Sequence, residues 1–158
     1  DQCLDAQFQH LAPPRPILAA ANGGAPPRTL ARQTRPQETA VGKLEQDFAA
    51  YRARMNERVL AEDNRVIKRI YSVDSLAYGE DGTLPKQTKE LLGLVASLVL
   101  RCDDCVKYHL VESRAAGSSR KEIVEAMSIG LVVGGTIVIP HLRRAIEFLD
   151  DLESAAAT

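Results

Sequence analysis

The chain has 158 residues, 45% hydrophobic and 26% charged, with 20 Lys and Arg against 21 Asp and Glu. That is enough for one globular domain, and a near-neutral charge argues against a nucleic-acid partner, which needs a basic face. Aromatics are only 4% and Trp is absent, so stacking platforms for single strands are excluded as well.

The first forty residues hold six of the eight prolines, with Gly23-Gly24 and no sustained period. This stretch, 1–40, reads as a disordered or loosely packed arm, without the basic start and apolar core of a signal peptide. Cys3 and His10 lie in it and read as incidental residues of that arm. A helical domain is expected over 41–153, followed by a short tail, 154–158. Leu44, Phe48, Tyr51, Met55 and Val59 step as one face of a first amphipathic helix. Val66, Ile67, Ile70 and Tyr71 continue that face or open a second segment after Asp63-Asn64. Tyr78 to Gly82 is a loop, and Pro85 suits the first turn of a helix running to about Arg101. Leu91 to Leu100 is apolar nearly all round and is expected in the core.

The next helix should start near Cys102 and end before Gly117, a good left-handed cap. Ser119 and Glu122 have capping-box spacing and open another, which runs to Gly134-Gly135. The last is expected over about Thr136 to Glu153, with Pro140 in or near its first turn. Thr136 to Ile139 is the one stretch that also reads as a short strand, but it has no partner elsewhere. No apolar run reaches the roughly 18–20 residues that span a bilayer, and three cysteines are too few for a disulfide-stapled secreted scaffold. The expectation is an all-α, soluble, cytosolic domain with neither a nucleic-acid nor a membrane partner.

Chemistry concentrates at Cys102-Asp103-Asp104-Cys105 and His109. On a helix these cysteines and the histidine share a face. A helix start at Cys102 places the thiols where unpaired N–H groups and the dipole favour a thiolate. Asp103 and Asp104 favour the same helix start, yet as anions they push thiol pKa values up. Three readings stay open: a dithiol cycling through a disulfide, a zinc site of two Cys and one His with a carboxylate or water, and cysteines that merely fill core space. No βαβ pattern surrounds the motif, which argues against a thioredoxin domain. Glu90, on the preceding helix, is by itself a charged residue at a solvated helix start. Buried near a thiol and a His, it would instead hold the imidazole and relay a proton. His141 and Arg143-Arg144 read as a helix cap and a solvated basic face, with anionic-substrate binding as the alternative.

Glu90, eleven residues, then Cys102-x-x-Cys105-x-x-x-His109 resembles the signature of the AhpD-like branch of the carboxymuconolactone decarboxylase family. Lys86 to Leu94, Ala115-Ala116-Gly117 with Ser119 to Glu125, and Val133-Gly134-Gly135 resemble its flanking segments, so the likeness covers about Met55 to Leu152. The resemblance implies an all-helical, intertwined homo-oligomer, trimeric or hexameric. It implies a thiol peroxidase or disulfide reductase acting on hydroperoxides. In that role Cys102 and Cys105 form the redox pair, His109 and Glu90 the proton relay, and a dihydrolipoyl-type thiol donates electrons. Cys105, nearer His109, is favoured as the attacking thiol, with Cys102 resolving the sulfenic acid. No organic or metal cofactor is required, because the dithiol carries two electrons itself. One departure stands out: AhpD has a histidine between the two cysteines where this chain has Asp103-Asp104. The alternatives are a decarboxylase-type lactone enzyme, which does not need paired cysteines, and a non-catalytic helical oligomer or metal-binding module.

Overall fold

The computed structural model describes residues 42–154, and the arm, with Cys3 and His10, lies outside the described residues, as does most of the tail. Six α-helices follow in order: α1 Lys43–Leu60, α2 Arg65–Tyr78, α3 Lys86–Val99, α4 Asp103–Ala115, α5 Arg120–Gly134 and α6 Ile139–Ser154, with a 3₁₀ turn at Thr136–Val138 before α6. No strand occurs among the described residues. Thr136 to Val138 becomes the 3₁₀ turn and Pro140 sits in the first turn of α6, where its missing N–H costs nothing.

The core lies where α3, α4, α5 and α6 meet. Leu94 and Leu98 of α3, Leu110 of α4, Ile123 and Met127 of α5, and Phe148 and Leu149 of α6 are essentially sealed from solvent. α3 packs on both α4 and α5, and α4 also packs on α6. α1 is held more loosely: none of its residues is fully buried, and its main anchor is Phe48 edge-on to Phe148, with centroids 5.8 Å apart. The apolar stripe expected of the first helix is therefore only partly covered, with Leu44 and Tyr51 exposed.

The turn from α3 to α4 positions the cysteines. α3 stops at Val99 rather than Arg101 because the chain closes a Schellman motif there. Arg101 N–H donates to Leu98 O at 3.1 Å and Cys102 N–H to Ser97 O at 3.0 Å, with Arg101 itself at φ 61°. A non-glycine residue in this left-handed region costs roughly 1–2 kcal/mol. The next residue, Cys102, is already the N-cap of α4. The far end of α4 closes in the same way on Gly117, φ 90°, with Ser118 N–H bound to Ser113 O at 2.9 Å. α5 begins with the expected capping box, in which Ser119 and Glu122 satisfy each other's backbone N–H. α2 is a separate helix, capped by Asn64, whose side chain accepts from Val66 and Ile67 N–H.

One expectation about α3 needs correcting. Its second half is not apolar-buried all round, because Leu92 and Leu100 are 56% and 76% exposed. They belong to a wider set of uncovered apolar residues. Val66, Ile70, Val73 and Leu76 form a stripe along α2, and Ile129, Val132 and Val133 lie exposed on α5.

Candidate functional site

Cys102 and Cys105 are joined by a disulfide with their Cα atoms 5.3 Å apart. The three-residue spacing at a helix start makes this bridge accessible, because it sets the two Cα atoms in bonding range. Cys102 Sγ also accepts the Cys105 backbone N–H at 3.4 Å, so the sulfur lies where the unpaired donors of α4 converge. Cys105 is exposed and Cys102 half-buried.

Behind the bridge lies a buried acid–base pair. Glu90 is fully buried on the α3 face that turns toward α4, and its Oε2 is 2.8 Å from His109 Nδ1. His109, one turn beyond Cys105, is only 7% exposed. The solvated-helix-start account of Glu90 is thus overturned: a carboxylate this deep needs a partner, and His109 supplies it. A proton on Nδ1, donated to Glu90, leaves Nε2 as the basic ring nitrogen. The second carboxylate oxygen, Oε1, is buried with no hydrogen-bond partner.

Two tyrosines flank the imidazole, Tyr78 and Tyr108, each with its ring centroid 5.1 Å from that of His109. Burial pushes the Tyr78 phenol above its ordinary value, and the Glu90 and Asp74 charges add to this. Burial does the same to Tyr108, with Glu112 and Glu90 adding and Arg52 opposing. Both phenols therefore stay protonated at neutral pH. Gly93 of α3 makes room for the group: a Cβ there would fall 2.5 Å from Tyr78 Oη and 2.7 Å from His109 Nε2. Neither tyrosine carries a sequence motif that would have marked it, and Gly93 entered the sequence reading only as part of the family-like segment Lys86 to Leu94.

The two aspartates between the cysteines behave differently. Asp103 accepts from His141 Nδ1 at 2.7 Å and from Arg144 Nε at 2.8 Å, which ties the start of α4 to α6. Burial alone would raise the Asp103 pKa, but these hydrogen bonds and the Arg144 charge outweigh it and hold the carboxyl below its ordinary range. Its charge is therefore largely spoken for and weighs less on the neighbouring sulfurs than the sequence suggests. His141 and Arg144 are accordingly not a bare solvated basic face; they anchor the motif. Asp104 is exposed and 3.5 Å from Lys107. Among the described residues no cluster of three His, Cys, Asp or Glu is arranged to hold a metal ion. No helix there is long and apolar enough to cross a membrane.

Cys105 and His109 share a cleft of about 380 Å³ between α1, α2 and α4, walled by Phe48, Met55, Ile70 and Tyr108 among others. Cys102 does not line it. Of the four predicted site residues, the structure pairs Glu90 of α3 with His109 of α4, bridges Cys102 to Cys105 at the start of α4, and sets Cys105 and His109 on one cleft.

Residues 68–148 match the sequence profile of the carboxymuconolactone decarboxylase family. The chain belongs to that family. The carboxymuconolactone decarboxylase fold is repeated in a crystal structure of a Thermotoga maritima protein 52% identical in sequence, with a TM-score of 0.67 over 69% of this chain and 95% of that one. A second crystal structure from T. maritima, also 52% identical with a TM-score of 0.65, covers 68% of this chain and 91% of that one. It is described as a family member and a candidate for involvement in antioxidative response. A Legionella pneumophila family protein, 22% identical, shares the fold with a TM-score of 0.60 over 72% of this chain and 97% of its own. Among curated proteins, an uncharacterised one from Cupriavidus necator is 28% identical over 75 residues, 48% of this chain and 66% of its own length. The uncharacterised protein 4 of the Paracoccus denitrificans cox locus matches at the same identity over 48% of this chain and 68% of its length.

Proposed function

We propose that the protein is a thiol-dependent peroxidase or disulfide reductase of the AhpD-like branch. The observation that carries this reading is the disulfide at the head of α4 backed by the buried Glu90–His109 pair. In the reduced form, His109 takes the proton of the attacking thiol, and the Glu90 carboxylate stabilises the imidazolium that results. The Cys105 thiolate attacks the peroxide, the O–O bond breaks, and an alcohol leaves with the relayed proton. Cys102 then attacks the Cys105 sulfenic acid, water leaves, and the disulfide forms. A dithiol donor of dihydrolipoyl type restores the pair. The order of the cysteines is supported by their surroundings, since Cys105 is the more exposed residue of the two and the one that lines the cleft with His109. The T. maritima relative's description as a candidate in antioxidative response agrees with this class of activity.

Reduced protein treated with one equivalent of hydroperoxide should lose two hydrogens, mapped by mass spectrometry to a Cys102–Cys105 bridge and regained on adding dihydrolipoamide. Cys102→Ser should trap a sulfenic acid at Cys105, whereas Cys105→Ser should trap none. Unchanged thiols would sink the peroxidase reading, and a sulfenic acid trapped only in Cys105→Ser would reverse the order.

The uncovered apolar residues on α2, α3 and α5 support a homo-oligomer, as the family resemblance implies, because monomers seldom leave contiguous stripes of this kind in water. Light scattering at micromolar concentration should return a multiple of the 17.2 kDa chain mass. A monomer at that concentration would refute it.

A further inference from the structure

The cleft beside Cys105 carries groups for which the thiol relay has no use. Its volume of about 380 Å³ falls in the usual range of small-molecule sites. Hydrogen peroxide needs no such volume, and the walls from Phe48, Met55 and Ile70 offer it nothing to hold. Arg52 of α1 lines the same cleft, and with Glu45 and Glu112 an adjoining cavity of about 400 Å³, its guanidinium stacked over the Tyr108 ring at 3.7 Å from the centroid. Stacking uses the face of the guanidinium and leaves its in-plane N–H groups to bond elsewhere. Among the described residues the guanidinium has no ion-pair or hydrogen-bond partner, although it is half-buried.

Asn56 stands one helical turn further along the same face of α1 and lines the same cleft. Its Oδ1 accepts the Tyr71 O–H at 3.0 Å, which leaves the carboxamide N–H groups as donors. A stacked, unpaired guanidinium with an amide donor one turn away suits a single carboxylate. Asp74 and Asp104 line the cleft too, both exposed. They disfavour a doubly charged phosphate or a second anionic group.

We infer that the cleft binds an amphipathic organic hydroperoxide, its apolar body against Phe48, Met55 and Ile70 and its single carboxylate on Arg52 and Asn56. The inference rests on the thiol-peroxidase reading and names that site's substrate class. The reaction balances with two thiols and one hydroperoxide giving a disulfide, an alcohol that keeps its carboxylate, and water.

The test compares the hydroperoxide of linoleic acid with its methyl ester, both below their micelle-forming concentrations. Reduced wild-type protein should prefer the acid by about tenfold or more in kcat/KM, and Arg52→Met should bring the two to near parity, mainly through KM. Calorimetry on the oxidised wild-type protein, which cannot turn over, should show the matching hydroxy acid binding about tenfold tighter than its ester. Equal affinities would overturn the inference even if Arg52→Met failed to fold, since that comparison needs only wild-type protein. Preferential binding of the hydroxy acid without consumption of the peroxide would support the carboxylate site and remove the peroxidase reading. Peroxide consumption with no preference would do the reverse.

Discussion

Glu90→Gln is expected to slow the reaction of the reduced protein with hydroperoxide by about 10²–10⁴-fold, the usual contribution of a positioned proton acceptor. The substitution is nearly isosteric. The carbonyl of the new carboxamide would still accept from His109 Nδ1, so the imidazole would keep its orientation and the 2.8 Å contact would survive as a neutral hydrogen bond. What disappears is the negative charge that stabilises imidazolium once the ring takes the thiol proton. The loss should therefore fall on kcat, with KM little changed, because Glu90 is buried behind the ring and does not line the cleft. Stability should fall only modestly: the amide avoids the desolvation cost of a buried carboxylate, but its N–H groups take the place of Oε1, which has no partner. Glu90→Ala is the contrast. It leaves His109 without its partner and opens a void, and a loss of about 3–5 kcal/mol of stability is expected. Stopped-flow oxidation rates and thermal melts of both variants measure this. A Glu90→Gln protein that reacts with peroxide at the wild-type rate would show that the pair is structural only.

The cysteines and His109 are legible from spacing, because a helix places residues three and seven apart on one face and leaves few other arrangements. The caps are legible for the same reason: Ser119, Glu122 and Gly117 act through local backbone chemistry. The burial of Glu90 is not, since a Glu in the first half of an apolar helix looks the same whether it faces solvent or a buried imidazole. Only the packing of α3 on α4 decides between them, and the family resemblance, rather than periodicity, points to the second. His141 and Arg144 look like a solvated face in the sequence because their partner, Asp103, lies 38 and 41 residues away in the chain. Long-range ion pairs of this kind leave no local signature. Arg52 is missed likewise, since a lone arginine on an amphipathic helix is ordinary until Tyr108 is placed beneath it. The apolar faces of α2 and α5 fail in the opposite direction. Their periodicity is plain, but periodicity marks a face to be covered without saying whether this chain or another copy covers it.

Gly93→Ala should nearly abolish peroxide reactivity through a single methyl group. Gly93 lies within α3 at an ordinary helical conformation, so alanine's better helix propensity would favour the variant by up to about 1 kcal/mol if space allowed. Space does not allow it. The new Cβ would fall 2.5 Å from Tyr78 Oη and 2.7 Å from His109 Nε2, and nearer still to His109 Cε1. Tyr78 is only half-buried and can swing outward, but His109 is enclosed and bonded to Glu90. Relief therefore has to come from the imidazole or from α3 itself. Overpacking of this kind costs about 1–3 kcal/mol, so a net destabilisation of about 1–2 kcal/mol is expected after the propensity gain. The kinetic effect should be larger, because displacing a catalytic group by about 1 Å can cost on the order of 10²-fold in rate. Gly130→Ala is the control on α5. Its Cβ would meet only Leu98 Cδ2 closely, at 3.2 Å, the end of a flexible side chain, so stability should stay near wild type and the thiol chemistry should be untouched. Melting curves and peroxide-oxidation rates for the two alanine variants separate a general helix effect from one at His109. A Gly93→Ala protein as stable and as reactive as Gly130→Ala would show that the ring moves aside freely and that the close packing behind it is not what sets the relay.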